Sequence, residues 1–285
     1  MPIRIVTDST CDLPIEEAIK FGIQVIPIFV NMDGKSYRDG VDLTRKQFYE
    51  ELPHQKILPT TSVPGVNAIE DVYQDLISQG ASGIISLHIA SNLSNMYNVA
   101  RIAARKIKSI PVEVVETGQL TLGLGLICIR AAQAVSEGKS LDEIVGLVQD
   151  MASRTWSFAL LATLDYIHRG GRLPRVQYEI GRLLNIKPVL IMHENLMKLE
   201  RAFTYHGSIT RVMEIVNRLK PVEQIAMVHA NFLGKLDTMK IALSNTLQAK
   251  FNPIIGEVTP AIGVHTGPGG IGLVVVTQEA ASPER

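Results

Sequence analysis

Small polar side chains with hydrogen-bonding groups lie on loops at three places along the chain. His265 opens the glycine-rich segment Gly267–Gly272, Thr61 and Ser62 lie in a loop flanked by prolines, and Ser94 follows an apolar stretch. Hydroxyl and imidazole groups donate hydrogen bonds without a fixed charge. Glycines allow the backbone to approach a ligand closely. Together these residues predict a pocket for a small anionic or polar group.

Some of these residues also have a purely structural interpretation. Ser94 stands where the helix predicted at 95–107 begins, so its hydroxyl can cap that helix. A helix N-terminus also favours a carboxylate, so one serine can serve both roles. The segment Thr7–Thr10 follows the first predicted strand and carries the same two interpretations, a strand-end cap or a ligand site. Both interpretations stay open for these segments.

Motifs for other chemistries are incomplete. Gly267–Gly272 matches the letters of the dinucleotide-binding fingerprint, but a strand follows it where that motif needs a helix. Gly138–Ser140 is similar to the end of a phosphate-binding loop, but Gln133 stands where its first glycine should be. No G-x-S-x-G elbow occurs, and the seven histidines show no metal-ligand spacing. We therefore expect neither a cofactor nor a metal.

Charge and composition exclude further classes of partner. Lysine and arginine together number 28, as do aspartate and glutamate, so no basic field is available for a nucleic acid backbone. The longest uncharged stretch, Val258–Gln278, is interrupted by two prolines and five glycines, so we expect no membrane helix. Cys11 and Cys128 form no CxxC pair, which is typical of free thiols in a reducing compartment. With no signal peptide at the start, we expect a cytoplasmic protein.

Two domains are expected from 285 residues. In residues 1–155 strand and helix patterns alternate, which predicts an α/β domain with a mostly parallel sheet. The Asp-Gly turn in Asn31–Lys35 predicts a hairpin within an insertion near residues 30–60. Strands are predicted at 3–7, 23–30, 83–88 and 112–116, and helices at 15–21, 45–52, 66–78, 95–107 and 120–135.

Residues 156–285 contain more strand patterns and less alternation. Strands are predicted at 158–164, 188–192, 197–203, 224–230, 254–258 and 272–277. The second and third of these are too close for a crossover helix, so they form an antiparallel hairpin. The second half is therefore predicted to be an α+β domain with a mixed sheet, and we expect the ligand to bind between the two domains.

Taken in order, several motifs of the chain resemble the DegV family of fatty-acid-binding proteins. The resemblance extends nearly from end to end. Its motifs are Val6-Thr-Asp-Ser-Thr10, Thr61-Ser62, Leu93-Ser94 with Tyr97, Leu164-Asp-Tyr-Ile-His-Arg-Gly-Gly-Arg172, Leu184-Asn-Ile-Lys-Pro188 and Gly263-Val-His265-Thr-Gly-Pro-Gly269.

The resemblance implies a carrier that encloses one long-chain fatty acid and presents its carboxylate to a fatty acid kinase for phosphorylation. It implies that Thr61, with Ser62 in the same loop, and Ser94 bind the carboxylate, with His265 beside it. Arg172 belongs to a segment that the family resemblance associates with kinase docking. One departure from the family is Asn95, which replaces the glycine that often follows this serine.

Two other functions stay open. One is a lipid hydrolase or acyltransferase that uses Ser94 and His265, and the other is a regulatory module that binds a different carboxylate. For a fatty acid carrier the acyl chain supplies most of the affinity, at about 0.8 kcal/mol per buried CH₂. Turnover of acyl esters would favour the enzyme, whereas stoichiometric lipid without turnover would favour the carrier.

Overall fold

The computed structural model describes residues 2–173, 187–248 and 251–281, which form an α/β structure with three sheets. A parallel sheet in the order β2-β1-β6-β7 is formed by β1 (Ile3–Asp8), β2 (Gln24–Ile26), β6 (Gly83–His88) and β7 (Val112–Glu116). A small antiparallel sheet in the order β4-β3-β5 is formed by β3 (Phe29–Met32), β4 (Lys35–Arg38) and β5 (Thr60–Ser62).

The third sheet is mixed and has six strands in the order β10-β9-β8-β13-β11-β12. Its strands are β8 (Thr155–Leu160), β9 (Val189–His193), β10 (Leu196–Glu200), β11 (Val222–His229), β12 (Ile254–Glu257) and β13 (Ile271–Thr277). β11 and β12 are parallel, and the other neighbours in this sheet are antiparallel. The predicted fold class, a parallel sheet in the first half and a mixed sheet in the second, is confirmed.

Helices cover these sheets. They are α1 (Ile15–Lys20), α2 (Arg45–Glu51), α3 (Val66–Ser78), α4 (Met96–Lys106), α5 (Thr121–Ser136), α6 (Leu141–Ser153), α7 (Asp165–Arg169), α8 (Tyr205–Arg218), α9 (Leu236–Leu247) and α10 (Pro260–Thr266). Thr44 and Ser140 cap α2 and α6 in capping boxes with Gln47 and Glu143. No helix in the described part of the chain combines the length and hydropathy needed to cross a bilayer.

The strand predicted at 23–30 is in fact two strands in different sheets. Pro27 separates β2 from β3, because proline has no N–H to donate to a strand ladder. The next amide, of Ile28, donates to Ser9 Oγ at 3.1 Å instead of to a neighbouring strand. The hairpin predicted at Asn31–Lys35 is confirmed, with Asp33 and Gly34 at φ 51° and 74°.

The helix α5 joins the two halves into one core. It is buried on all sides from Leu122 to Ile129, and it packs against β1 and β6 of the parallel sheet and against β8, β11 and β13 of the mixed sheet. The largest apolar cluster accordingly combines Val6 and Ile85 with Val228 and Val274. The domain boundary at 155/156 stays a prediction: β8 begins there, but the apolar core continues across it.

Candidate functional site

An apolar cavity lies between the carboxyl ends of the parallel strands and the six-stranded sheet. Its apolar wall includes Ile28, Ile89, Leu93, Leu120, Phe158, Ala159, Ile167, Leu190, Met192, Met197, Val228, Ala261, Ile262, Leu273 and Val274. Its polar wall residues are Thr10, Thr61, Ser94, Thr121, Ser157, Arg172, His265 and Thr266. Ligands of open α/β sheets bind at this edge, because loops diverge there. We call this space the apolar cavity.

Thr61 and His265, far apart in sequence, meet at the wall of the apolar cavity. Thr61 Oγ1 lies 2.9 Å from His265 Nε2. The sequence places His265 at the start of a loop, but the structure places it in the last turn of α10, ahead of the turn at Gly267. The helix fixes the height of the imidazole more firmly than a loop would.

The environment of His265 keeps its imidazole neutral. Burial, together with the positive charge of Arg172, lowers the pKa of His265 to about 4. Among the described residues, its Nδ1 is buried and has no hydrogen-bond partner. A proton on Nδ1 would leave an unpaired buried N–H, so we assign the proton to Nε2, where it donates to Thr61. The hydroxyl proton of Thr61 is then free for a ligand.

Gly170 closes the other side of the His265 ring. A Cβ atom at position 170 would lie 2.2 Å from His265 Nδ1, far inside van der Waals contact. The backbone of Gly170 has an ordinary φ of −69°, so space rather than conformation explains the glycine. The segment that contains it thereby fixes the orientation of the imidazole.

Ser94 lines the same cavity and also serves as a cap. Its Oγ accepts a hydrogen bond from the amide of Met96 at 3.3 Å, at the start of α4. The hydroxyl proton of Ser94 is not used in that contact, so the cap and ligand interpretations are compatible. The following residue, Asn95, has φ −79°. This is an ordinary backbone conformation, so the replacement of glycine at this position causes no strain.

Arg172 lies at the cavity wall and is half-buried. Its Nε donates to the carbonyl of Leu93 at 3.2 Å, and its Nη1 donates to the carbonyl of Gly170 at 2.5 Å. Burial lowers the pKa of this guanidinium. Arg172 therefore connects the segment before Ser94 with the turn that packs on His265.

Ser62 is not part of the cavity wall. Neighbouring side chains of a strand point to opposite faces, so Thr61 faces the cavity and Ser62 does not. The Ser62 side chain is exposed, and its Oγ accepts a hydrogen bond from Asn31 Nδ2 at 3.2 Å. The structure thus brings Thr61, Ser94, Arg172 and His265 together and leaves Ser62 outside.

Two backbone amides of the glycine-rich turn form hydrogen bonds within the protein. The amide of Gly267 donates to Gly263 at 2.8 Å, and the amide of Gly269 donates to Ala230 at 2.7 Å. A Cβ atom at position 267 would lie 2.3 Å from the ring of Tyr166. These two amides are therefore not available to a ligand, whereas Gly272, at the end of the same segment, lines the apolar cavity. The close approach of the glycine-rich backbone to a ligand stays a prediction.

A Ser-His-Asp row that no sequence motif predicts exists elsewhere in the structure. Ser86 Oγ lies 2.8 Å from His88 Nε2, and His88 Nδ1 lies 2.8 Å from Asp8 Oδ2. All three side chains are fully buried, and Tyr73 donates to Ser86 Oγ at 2.9 Å. Ser86 does not line the apolar cavity. A buried serine cannot attack a substrate, so this row holds the ends of β1 and β6 together.

Other chemistry-bearing groups are few at this site. Within residues 2–173, 187–248 and 251–281, no three His, Cys, Asp or Glu side chains are grouped as a metal site would require. The motif at 184–188 lies outside the described residues, except for Lys187 and Pro188.

Comparison with known proteins identifies the relatives of this chain. A "DegV domain-containing protein" of Caldanaerobacter subterraneus is 33% identical, over 95% of this chain and 97% of the relative. A solved structure described as fatty acid binding of a DegV family protein from Thermus thermophilus has a TM-score of 0.89, 28% identity, and coverage of 97% of this chain and 100% of its own.

Two further structures agree. The DegV fatty acid binding protein of Bacillus subtilis matches with a TM-score of 0.87 and 28% identity, over 98% of this chain and 100% of its own. A stearic acid-binding protein of Eubacterium ventriosum matches with a TM-score of 0.88 and 25% identity, over 97% and 98%. The profile described as an uncharacterised protein of the DegV family matches residues 2–278. The chain belongs to the DegV family.

Proposed function

We propose that this protein binds one long-chain fatty acid in the apolar cavity, with the carboxylate at Thr61, Ser94 and His265. The observation that carries the proposal is the hydrogen-bonded pair of Thr61 and His265 at the wall of a mostly apolar cavity. A hydroxyl donor for each carboxylate oxygen is the chemistry that a fatty acid head requires. The related structures from Thermus thermophilus, Bacillus subtilis and Eubacterium ventriosum are described as fatty-acid-binding proteins, which supports the same ligand class.

We further propose that the bound acid is presented to a fatty acid kinase, which phosphorylates the carboxylate. Neutral donors leave the carboxylate nucleophilic, whereas an ion pair with a lysine would withdraw its charge. The buried free thiols of Cys11 and Cys128 support a reducing compartment, the cytoplasm, where nucleoside triphosphate is available to such a kinase.

The carrier function fits the site better than the hydrolase does. A hydrolase would need His265 to activate Ser94, but the imidazole bonds to Thr61, and its Nδ1 has no carboxylate partner among the described residues. A neutral imidazole oriented by Gly170 is a hydrogen-bond donor in this geometry rather than a general base for Ser94. The protein therefore acts by binding and presentation.

Mass spectrometry of lipid extracted from the purified protein tests this function. The protein, purified from a bacterial host and extracted under denaturing conditions, is expected to release a long-chain fatty acid at close to one molecule per chain. The same preparation is expected to leave acyl esters unhydrolysed. Release of a different molecule class from undamaged protein, or ester turnover abolished by Ser94→Ala, would contradict the carrier.

A further inference from the structure

Two buried residues with hydroxyl groups line the apolar cavity without belonging to the proposed carboxylate site. They are Ser157 on β8 and Thr10 directly after β1, and only 6% and 5% of their surfaces are exposed. A buried hydroxyl group in an apolar wall needs a hydrogen-bond partner. What each of them offers a ligand depends on where its own proton goes.

Both hydroxyl protons are used within the protein. Ser157 Oγ donates to Gln119 Oε1 at 2.8 Å, and the side-chain nitrogen of Gln119 donates to the carbonyl of Thr155 at 2.7 Å. Thr10 Oγ1 donates to Asp8 Oδ1. No described residue donates to either hydroxyl oxygen, so each oxygen keeps a lone pair for another donor.

The head-group site and the wall therefore have opposite hydrogen-bonding character. At the proposed carboxylate site, Thr61 and Ser94 have hydroxyl protons for an anion. Ser157 and Thr10 offer acceptor oxygens, which repel a carboxylate and match an O–H group. A ligand that satisfies both regions has a carboxylate at its head and a hydroxyl group along its chain.

Ser157 lies along the wall, at a distance from the head-group site. Its neighbours across the sheet are Met192 on β9 and Val274 on β13, and both line the same cavity. Ala159 lines the cavity two residues nearer the end of β8, after which the chain leads into α7 and the turn that packs on His265. An acyl chain that starts at the head-group site therefore passes Ala159 before it reaches Ser157.

The packing of α5 leaves room for the hydroxyl group of Ser157. A Cβ atom at Gly123 would lie 2.5 Å from Ser157 Oγ and 2.9 Å from Gln119 Oε1. Glycine weakens the interior of a helix relative to alanine. At this position glycine keeps the hydrogen bond that uses the Ser157 proton and leaves its oxygen as an acceptor.

We propose that the ligands of this protein include long-chain fatty acids with a hydroxyl group in the middle of the chain, and that Ser157 accepts the hydrogen bond from that group. The inference rests on the proposed function, because the carboxylate has to lie at Thr61 for the chain to reach Ser157. A hydroxyl group enclosed without a partner is unfavourable, so a purely apolar wall would exclude such acids. Unsubstituted acids also bind, because Ser157 already has one hydrogen bond, to Gln119.

The test compares stearate with two hydroxystearates, which have the hydroxyl group on the tenth or the twelfth carbon, on the delipidated full-length protein. At least one hydroxystearate is expected to bind the wild type as tightly as stearate does. Ser157→Ala is expected to weaken binding of that hydroxystearate about tenfold and to leave the stearate affinity unchanged. The control is Ser136→Ala on α5, whose hydroxyl group donates to the carbonyl of Ala132 outside the cavity lining, and which should alter neither affinity.

A second variant covers the case in which Ser157→Ala does not fold. Ser157→Cys keeps a side chain of similar shape but is a weaker acceptor, so it should show the same selective loss of hydroxystearate binding. Equal losses for stearate and hydroxystearate in the folded variant would overturn the inference and leave Ser157 a structural role. A selective loss in Thr10→Val, with none in the Ser157 variant, would overturn the assignment to Ser157.

The wild-type affinities distinguish the inference from the function on which it rests. If stearate does not bind, the proposed function fails. If stearate binds and both hydroxystearates bind more weakly by about tenfold or more, the proposed function stands and the hydroxylated ligand class is overturned.

Discussion

A hydroxyl group can donate only one hydrogen bond, so the proton of Thr61 determines what the site can bind. If His265 accepted that proton, Thr61 would have none left for a carboxylate. The unpartnered Nδ1 of His265 places the imidazole proton on Nε2, so Thr61 accepts from histidine and donates to the ligand. Histidine thus orients the hydroxyl as well as lining the site.

Removing this hydroxyl should weaken binding of the head group specifically. We expect Thr61→Val to lower fatty acid affinity by about 1.5 to 3 kcal/mol, or roughly ten- to hundredfold, the usual cost of losing a hydrogen bond to a charged group. Isothermal titration with palmitate measures the change. The matched control is Ser62→Ala, one residue away but on the exposed face of the strand. Equal losses in both variants would contradict the assignment of Thr61 to the site.

The lowered pKa of His265 should also affect how the free energy of unfolding depends on pH. Its pKa is lowered from 6.5 to about 4, so below 6.5 the unfolded chain binds a proton that the folded protein does not. The free energy of unfolding should therefore fall by about 1 to 2 kcal/mol as pH decreases across this interval. His265→Gln should remove this part of the decrease in delipidated protein. If nitrogen NMR shows the His265 imidazole charged at pH values between about 4 and 6.5, the lowered pKa is contradicted.

The helix α10, which contains His265, is held at its N-terminus by two buried carboxyl groups. Asp12 Oδ1 accepts from the amide of Thr259 at 2.8 Å, and Asp39 Oδ2 accepts from the amide of Ala261 at 3.4 Å. Burial raises the pKa of Asp12 to about 7 and that of Asp39 to about 6. These contacts hold α10 against loops of the parallel and antiparallel sheets.

Asp12 should make the protein less stable as pH rises. Its pKa is raised from 3.8 to about 7, so across this interval the unfolded chain loses a proton that the folded protein retains. Relative to Asp12→Asn, the wild type should lose about 1 to 4 kcal/mol of unfolding free energy over that range, measured by urea titration. Asp42, whose pKa Arg38 lowers to about 2, is already ionised there, so Asp42→Asn is the control. Parallel pH curves for wild type and Asp12→Asn would contradict the raised pKa.

Gly170, at the end of α7, packs so closely on His265 of α10 that one added methyl group should change ligand binding. Gly170→Ala would place a Cβ 2.2 Å from His265 Nδ1, so the imidazole must move away from Thr61. We expect this variant to fold but to lose preference for a fatty acid over its methyl ester. Gly146→Ala, in α6 with no atom within 4 Å of the added Cβ, should keep that preference. Unchanged discrimination in Gly170→Ala would show that the ring position is not critical.

Several elements could be predicted from local patterns alone. The ranges predicted for α3, β6 and β7 are the observed ones, because the periodicity of their apolar residues and the turn residues at their ends define such segments. The change of sheet between β2 and β3 at Pro27 is not predicted from the sequence, because the residues on both sides of Pro27 form one continuous apolar run. The helical position of His265 was missed because the short α10 depends on Asp12 and Asp39, more than two hundred residues earlier in the chain.

The residues that line the cavity were predicted less well than the residues that begin and end the elements. Thr61, Ser94 and His265 could be found because their motifs resemble those of a family. Ser62 could not be separated from Thr61 until β5 assigned them to opposite faces. Asp8 and His88 form a buried pair that no spacing in the sequence indicates, because β1 and β6 become neighbours only in the parallel sheet.

In the described part of the chain, the apolar cavity lies where the two halves of the molecule meet. Both halves contribute to its wall, and α5 connects the sheets behind it. The head-group residues come from β5 and the loop before α4 in the first half, and from α10 in the second. A ligand that occupies the cavity therefore contacts both halves, and should stabilise the folded protein by an amount that grows with the logarithm of its affinity.

The most direct test of fatty acid binding is a titration of the delipidated wild-type protein with palmitate and with methyl palmitate. The two ligands have the same acyl chain and differ only at the head group, which Thr61 and Ser94 are proposed to bind with His265 beside Thr61. We expect one palmitate per chain and an affinity at least about tenfold higher than that of the ester, because the ester lacks the carboxylate charge. Equal affinity for both ligands, or binding of neither, would contradict a carboxylate site at these residues.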